Sequence, residues 1–243
     1  MQQSNAPLLI VGAGRSGTTL LVACLNGHPR VEMKNEYCSI ATLMGHAYPV
    51  SSVSRILEER LAGFRKLCDE DRLRYPEMIW GNKVTTEQIA GLEIHNSVND
   101  LPVNVVQRFV EAMEGYRIIF ISRHGASSVE SKVRRKGHGV VLAAIKWCYG
   151  VRFYETIRSM GPLAAFCRYE DLVSDPRSTL TKLCDSLDLD FDENMLLQTD
   201  SPIMGDYRQE RFLPEKAVAY QQLAPEVVHM LAPYLERMGY ALP

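Results

Sequence analysis

Residues 8–26 read LLIVGAGRSGTTLLVACLN and contain the pattern that decides the fold. The apolar run Leu8–Val11 does not alternate with polar residues, which is typical of a buried parallel strand. A glycine-rich turn follows over residues 12–17, and apolar residues with helical spacing resume after it. A strand, a glycine-rich turn and a helix form a phosphate-binding cradle, because the N–H groups of the turn and of the helix N-terminus point at a bound anion.

The turn departs from the nucleoside-triphosphate loop at one position. In the Walker pattern G-x-x-x-x-G-K-[ST], Gly12, Gly17 and Thr19 match, whereas Thr18 stands in place of the lysine. Arg15 supplies the cation of this turn. A kinase or triphosphatase needs the lysine on its phosphates and an acid that holds Mg²⁺. The loop therefore suits a phosphate donor with fewer negative charges and no metal.

At these residues the sequence resembles the sulfotransferase family, whose loop for a 5′-phosphosulfate has the form R-S-G-T-T-L. Those enzymes take the sulfuryl group from 3′-phosphoadenosine-5′-phosphosulfate (PAPS) and release 3′-phosphoadenosine-5′-phosphate (PAP). The resemblance implies that the 5′-phosphosulfate is held, without a metal, by Gly14, Arg15, Ser16, Gly17, Thr18 and Thr19.

Composition limits the class of protein. The chain has 243 residues, of which 46% are hydrophobic and 23% are charged, as in a soluble globular protein. A net charge of −2 and a pI of about 6.3 argue against nucleic-acid binding, which requires a basic excess. Six scattered cysteines indicate free thiols in a reducing compartment. We expect one domain over residues 1–243, located in the cytoplasm, with no signal peptide and no membrane span.

Strands and helices alternate along the rest of the chain. Further strands are predicted at Val31–Met33, Met78–Gly81, Arg117–Ser122 and Ala164–Arg168. Helices are predicted at Ser51–Arg74, Asn104–Met113, Gly125–Arg135, Val140–Met160, Asp175–Leu187 and Pro225–Met238. This order predicts an α/β three-layer sandwich with a central parallel sheet and a P-loop. Ligands bind beyond the carboxyl ends of such strands, where Gly12, Lys83, Arg123 and Tyr169 are expected.

Residues 123–136, RHGASSVESKVRRK, predict a second anion site. Arg123 follows a strand directly, and the next helix presents Ser131 and Arg135 on one face. Guanidinium groups bind phosphate in a bidentate manner. The segment resembles the 3′-phosphate segment of sulfotransferases, which has the form R-(D/H)-x-x-x-x-x-x-S. His124 stands where the family normally has Asp, and from there it could contact the ligand.

The basic residues that follow are not all expected to bind the ligand. We expect Lys132, Arg134 and Lys136 to form a solvated helix face.

Two further residues are tied to the donor by the resemblance. Tyr169-Glu170-Asp171-Leu172 matches the family stretch Y-E-D-L, in which the tyrosine lies beside the adenine. From the sequence alone a buried core tyrosine is an equally good interpretation of Tyr169. Lys216, in a late loop, corresponds to a lysine that covers the 3′-phosphate in relatives.

The resemblance is to tyrosylprotein and related bacterial sulfotransferases rather than to the cytosolic steroid and phenol enzymes. It implies that Glu36 is the base for the acceptor hydroxyl and that Arg15 and Lys83 are the cations at the transferring group. Sulfuryl transfer needs such a base and such cations because charge develops on the leaving oxygen during in-line attack. His46 and His95 are alternative bases.

The sequence therefore predicts a sulfotransferase that moves a sulfuryl group from PAPS to a hydroxyl, or less readily an amine. The acceptor class stays open between a small molecule, a glycan and a peptide. Two alternatives remain at this point: a metal-dependent P-loop kinase or NTPase, and a nucleotide-binding protein without catalysis.

Overall fold

A parallel five-stranded sheet organises the protein. The structure, a computed structural model, describes residues 5–46, 56–99, 101–137, 139–197 and 223–242. The strands are β1 Leu8–Gly12, β2 Val31–Asn35, β3 Ile79–Thr85, β4 Arg117–Ser122 and β5 Leu163–Arg168. Their order in the sheet is β2-β3-β1-β4-β5. All neighbours run parallel. The predicted α/β fold with a parallel sheet is confirmed.

Helices connect and flank the strands. The α-helices are α1 Thr18–Asn26, α2 Ser39–Thr42, α3 Ile56–Arg72, α4 Thr86–Ala90, α5 Ile94–Val98, α6 Val105–Ala112, α7 Gly125–Lys136, α8 Val140–Met160, α9 Tyr169–Ser174, α10 Pro176–Ser186, α11 Asn194–Leu197 and α12 Pro225–Arg237, with a 3-10 turn at Gly91–Glu93. The longer helices agree with the sequence prediction to within a few residues. The predicted helical residues 51–55 lie outside the described part of the chain.

Two elements near the site differ from the sequence prediction. Strand β3 continues to Thr85, so Lys83 lies inside the strand near its carboxyl end rather than after it. Helix α9 begins at Tyr169, directly after β5, and was not predicted. Helix α4 begins at once after β3, because Thr85 and Gln88 form a reciprocal capping box at its N-terminus.

The sheet is covered on both faces. Along β1 the side chains alternate, with Leu9 and Val11 in one core and Leu8 and Ile10 in the other. The first core packs against α3, α6, α8 and α12, and the second against α1, α9, α10 and α11. This arrangement gives the three predicted layers.

All six cysteines are free, and none of the described helices combines the length and the apolar character that a membrane crossing requires.

An aromatic cluster carries part of the stability of the first core. Phe153 is fully buried, and its ring centroid lies 5.9 Å from that of Phe109 and 6.3 Å from that of Phe120. We expect Phe153→Ala to lower the free energy of unfolding by about 3–5 kcal/mol, because it leaves a cavity among these rings. Urea unfolding measures the change. Leu73→Ala is the control, since Leu73 is 80% exposed, and an equal loss in both variants would contradict the cluster's role.

Candidate active site

A cavity of about 440 Å³ opens at the carboxyl edge of the sheet. Its walls come from the turn after β1, the first residues of α1, Met44, the chain at the ends of β2, β3 and β4, and side chains of α4, α7, α8 and α9. The lining residues are Gly14, Arg15, Gly17, Thr18, Thr19, Leu20, Asn35, Glu36, Met44, Lys83, Thr85, Glu87, Arg123, Lys132, Lys146 and Tyr169. Most of the predicted site residues therefore share one cavity.

The turn between β1 and α1 is a tight loop. Its Ser16 N–H donates to the carbonyl of Ala13 at 3.0 Å, and Arg15 and Gly17 have φ values of 74° and 86°. A positive φ is costly for a residue with a side chain, so Arg15 is held there by its surroundings. Gly17, at the N-cap of α1, has no side chain that could bond the first N–H groups of the helix. Those donors are thus available to an anion in the cavity.

The Ser16 hydroxyl is the clearest unsatisfied group of the loop. Ser16 is fully buried, and its Oγ has no hydrogen-bond partner within the described residues. A buried hydroxyl without a partner is costly, so this position calls for an additional polar group.

The two predicted anion segments touch each other. Arg15 Nε donates to Ser131 Oγ at 2.9 Å, and a guanidinium N–H of Arg123 lies 3.5 Å from the Arg15 carbonyl oxygen. Trp147 Nε1 donates to the carbonyl of Arg123 at 3.0 Å and fixes the chain where β4 ends. The turn after β1 and the segment after β4 thus form one connected surface.

Tyr169 closes this surface from the side of β5. It is buried, and the Arg123 guanidinium lies 4.6 Å from the centre of its ring. The ring also packs directly on Gly17: a Cβ atom at Gly17 would lie 2.3 Å from Tyr169 Cδ2. The contact explains why residue 17 must lack a side chain, in addition to its positive φ.

The predicted base and the predicted cation form an ion pair. Lys83 Nζ contacts Glu36 Oε1, and Gln88 Nε2 donates to Glu36 Oε2 at 2.8 Å. The Lys83 side chain is 3% exposed and that of Glu36 is 31% exposed. Strand pairing sets this geometry, since Asn35 lies opposite Lys83 and the Glu36 N–H donates to the Lys83 carbonyl at 3.0 Å.

Sequence reasoning missed a second ion pair in the cavity. Glu87 Oε2 accepts from the Gly14 N–H at 2.8 Å, and Lys132 Nζ lies 2.5 Å from Glu87 Oε1. Lys132 is only 2% exposed, so its expected place on a solvated face was wrong; Arg134 on the same helix is exposed as expected. Burial lowers the pKa of the Lys132 ammonium below its ordinary value.

A local signal for Glu87 was present in the sequence. The capping-box pattern from Thr85 to Gln88 marks a helix start directly after β3, which places Glu87 at the carboxyl edge of the sheet. Nothing comparable in the sequence indicates that Lys132 is buried.

Five predicted contacts of PAPS are not lining residues of the cavity; two of them, Ser16 and Ser131, are buried in the segments described above. Arg135 is exposed on α7 and is not a lining residue of the cavity. The His124 ring packs edge-on against Tyr240, and its Nε2 lies 2.9 Å from the Ala241 carbonyl, so it faces the C-terminal segment. Lys216 falls outside the described part of the chain.

The alternative histidine bases are not brought to this cavity. His46 is exposed, and His95, on α5, contacts Asn99 at the C-terminal end of that helix; neither lines the cavity. Within the described ranges, no three His, Cys, Asp or Glu side chains converge as a metal-ligand set.

Comparison with known proteins identifies the family of the chain. Residues 7–193 match the family model described as the sulfotransferase family. The chain belongs to the sulfotransferase family. A search of curated proteins gave no significant match.

Solved structures support the fold assignment. The sulfotransferase domain of the olefin synthase from Synechococcus PCC 7002 is 21% identical, with a TM-score of 0.70 over 98% of this chain and 95% of that one. The sulfotransferase domain from the curacin biosynthetic pathway is 17% identical, with a TM-score of 0.73 over 98% of each chain. A mouse sulfotransferase solved in complex with PAP is 14% identical, with a TM-score of 0.53 over 98% of this chain and 86% of that one.

The packing of Gly17 on Tyr169 generates a stability prediction. We expect Gly17→Ala to lower the free energy of unfolding by at least about 2 kcal/mol more than Gly161→Ala does. Both glycines have a positive φ, 86° and 93°, but no atom lies within 4 Å of a Cβ built at Gly161. The difference between the variants, measured by urea unfolding, isolates the contact with the ring. Equal losses would contradict the close packing.

Proposed function

We propose that the protein is a PAPS-dependent sulfotransferase of one domain over residues 1–243. In this proposal it transfers the sulfuryl group of PAPS to a hydroxyl, or less readily an amine, of an acceptor and releases PAP. The observation that carries the proposal is the pairing of two anion-binding segments, the turn after β1 and the start of α7, through the Arg15–Ser131 hydrogen bond. A nucleotide phosphorylated at both its 5′ and 3′ positions matches two such adjoining segments.

The residues of the first segment fit a 5′-phosphosulfate. The open N–H groups at the start of α1, the Arg15 guanidinium and the buried Ser16 hydroxyl are donors, which is what sulfate and phosphate oxygens require. In the proposal Gly17, Thr18 and Thr19 contribute their N–H groups. Gly14 contributes the shape of the turn rather than its N–H, because that N–H already donates to Glu87.

The second segment fits a 3′-phosphate. Ser131 Oγ accepts from Arg15, so its own O–H remains a donor for another oxygen. Arg123 is largely buried, and its guanidinium contacts the carbonyl of Arg15, the residue that bonds Ser131. Tyr169 offers an aromatic ring next to both, and in the proposal it contacts the adenine. Arg135 and Lys216 stay proposed contacts of the 3′-phosphate on the strength of the sequence resemblance alone.

In this proposal Glu36 and Lys83 act on the reacting groups, Glu36 as the base and Lys83 as a cation. The acceptor oxygen forms a bond to sulfur while the bond from sulfur to the bridging oxygen breaks, and the electron pair of that bond leaves with PAP. Glu36 takes the acceptor proton, since its carboxylate is partly exposed to the cavity. Lys83 and Arg15 stabilise the negative charge on the leaving and equatorial oxygens.

The kinase alternative is less well supported by the same residues. Thr18 occupies the position of the phosphate-binding lysine, and Arg123 rather than an acid follows β4. A guanidinium at that place suits a second phosphate better than a hydrated metal ion.

Donor binding is the first test. We expect PAP to bind without Mg²⁺ more tightly than ATP or adenosine-5′-phosphosulfate, because only PAP carries a 3′-phosphate. Arg123→Ala should weaken PAP binding by about 10–100-fold, the effect of losing a charge-assisted contact, and barely alter adenosine-5′-phosphosulfate binding. Calorimetry measures all three ligands, with Arg108→Ala as the control because Arg108 lies in an exposed pair with Glu58. Tighter binding of ATP with Mg²⁺ would favour the kinase.

The base assignment has its own test. Glu36→Gln removes the proton acceptor but keeps an oxygen and the side-chain length. We expect it to slow conversion of PAPS to PAP, with 4-nitrophenol or a primary alcohol as acceptor, by about 10²–10⁴-fold. PAP affinity should stay within about 3-fold, since no donor contact is lost. Glu32→Gln, in the neighbouring pair with Lys34 on β2, is the matched control. Full activity of Glu36→Gln would show that another group is the base.

A further inference from the structure

Glu87 joins the turn after β1 to helix α7. One carboxylate oxygen accepts the Gly14 N–H at 2.8 Å, and the other lies 2.5 Å from Lys132 Nζ. The contact is closely packed, because a Cβ atom at Gly14 would lie 3.1 Å from Glu87 Oε1. A backbone N–H cannot swing away as a side chain can, so this contact restricts the turn itself.

The Glu87 carboxylate favours the charged form of Lys132. Burial lowers the pKa of Lys132, the neighbouring cations Lys146 and Arg15 lower it further, and the Glu87 carboxylate opposes both effects. Without Glu87 the buried ammonium would lose its counter-charge. The pair is therefore a unit in which the Glu87 carboxylate offsets the cost of burying the Lys132 ammonium.

Two sets of contacts connect the turn at Arg15 to helix α7. Its side chain donates to Ser131, and the preceding residue, Gly14, is linked through Glu87 to Lys132, the residue after Ser131. Ser131 thus restrains the Arg15 side chain, and Lys132, through Glu87, restrains the backbone of the preceding residue. A residue held at φ 74° needs such restraints, because this conformation is otherwise unfavourable.

We propose that Glu87 is a positioning residue for sulfuryl transfer, which holds the Gly14–Arg15 turn against α7 so that Arg15 meets the sulfuryl group of PAPS. The role rests on the proposed function. Glu87 acts through Gly14 and Lys132 and does not itself contact the reacting atoms. Misplacement of a catalytic cation by about 1 Å is enough to reduce a rate by about 100-fold.

The test compares two substitutions that differ in one property. Glu87→Gln keeps an oxygen that accepts the Gly14 N–H, whereas Glu87→Met keeps the length and loses the acceptor. Glu193→Gln is the matched control, because Glu193 pairs with Arg177 at an exposed position away from the cavity. Hydrogen exchange of the loop peptide in the ligand-free protein and calorimetric binding of PAPS and PAP are measured for each variant.

We expect Glu87→Met to speed exchange of the loop amides and to weaken PAPS binding by about 10-fold, and PAP binding less, because only PAPS has the sulfuryl group that Arg15 contacts. Glu87→Gln should show a smaller effect and Glu193→Gln none. A folded Glu87→Met with the exchange and the PAPS affinity of the unmodified protein would overturn the proposal. If the unmodified protein binds neither ligand, the proposed function fails, while the exchange data still decide whether Glu87 holds the turn.

The pH dependence of Glu87→Gln keeps the test decisive if Glu87→Met does not fold. Loss of the carboxylate should lower the pKa of Lys132 further, so that the charged lysine is lost at a lower pH. We expect the alkaline loss of PAPS affinity to begin at lower pH in Glu87→Gln than in the unmodified protein. An unchanged alkaline limb would overturn the proposal, because it would show that Glu87 does not act on the loop through Lys132.

Discussion

The hydrogen bond from Arg15 to Ser131 joins two segments that lie 116 residues apart in the chain. Sheet topology makes this contact possible, since β1 and β4 are neighbours in register, with Leu8 opposite Arg117. Parallel strands end at the same edge, so the turn after β1 and the segment after β4 leave the sheet side by side. The pairing of β1 with β4 therefore determines which two segments meet at the cavity. Any sequence that kept the loop but moved β4 away from β1 would separate the two segments that we propose to bind anions.

Local sequence signals were sufficient for the sheet and for much of the site. The apolar run before Gly12 predicted β1, and the residues after each predicted strand, Arg123 and Tyr169 among them, do meet in one cavity. The burial of Lys132 could not be predicted in the same way. Its helix has charged neighbours on several sides, and its only described ion-pair partner, Glu87, comes from a separate element 45 positions earlier in the chain. A tertiary contact of this kind can bury a lysine that the charge pattern of its helix places in solvent. A single sequence does not show which distant residues will form such a contact.

The cavity is lined by more cationic than anionic side chains. Five cationic side chains line it, against the two carboxylates of Glu36 and Glu87. Each carboxylate forms an ion pair with a lysine whose side chain is almost wholly buried. The contacts described for Arg15 and Arg123 are with a hydroxyl, a carbonyl and an aromatic ring. A buried ammonium needs a counter-charge more than a guanidinium does, because it is more strongly hydrated and more readily deprotonated. The cavity therefore has more cationic than anionic side chains, and Arg15 and Arg123 carry the guanidinium groups that suit anionic oxygens.

The two carboxylates differ in what they hold, and this difference separates their proposed roles. Glu36 accepts from the side chains of Lys83 and Gln88. Glu87 accepts from the backbone of Gly14, which cannot move without the whole turn. A base must exchange partners during the reaction, because it gives up one contact to receive a proton. A positioning residue must keep its partners throughout. Side-chain contacts thus suit Glu36 to proton transfer, and the main-chain contact suits Glu87 to fixing the loop on which the transfer depends.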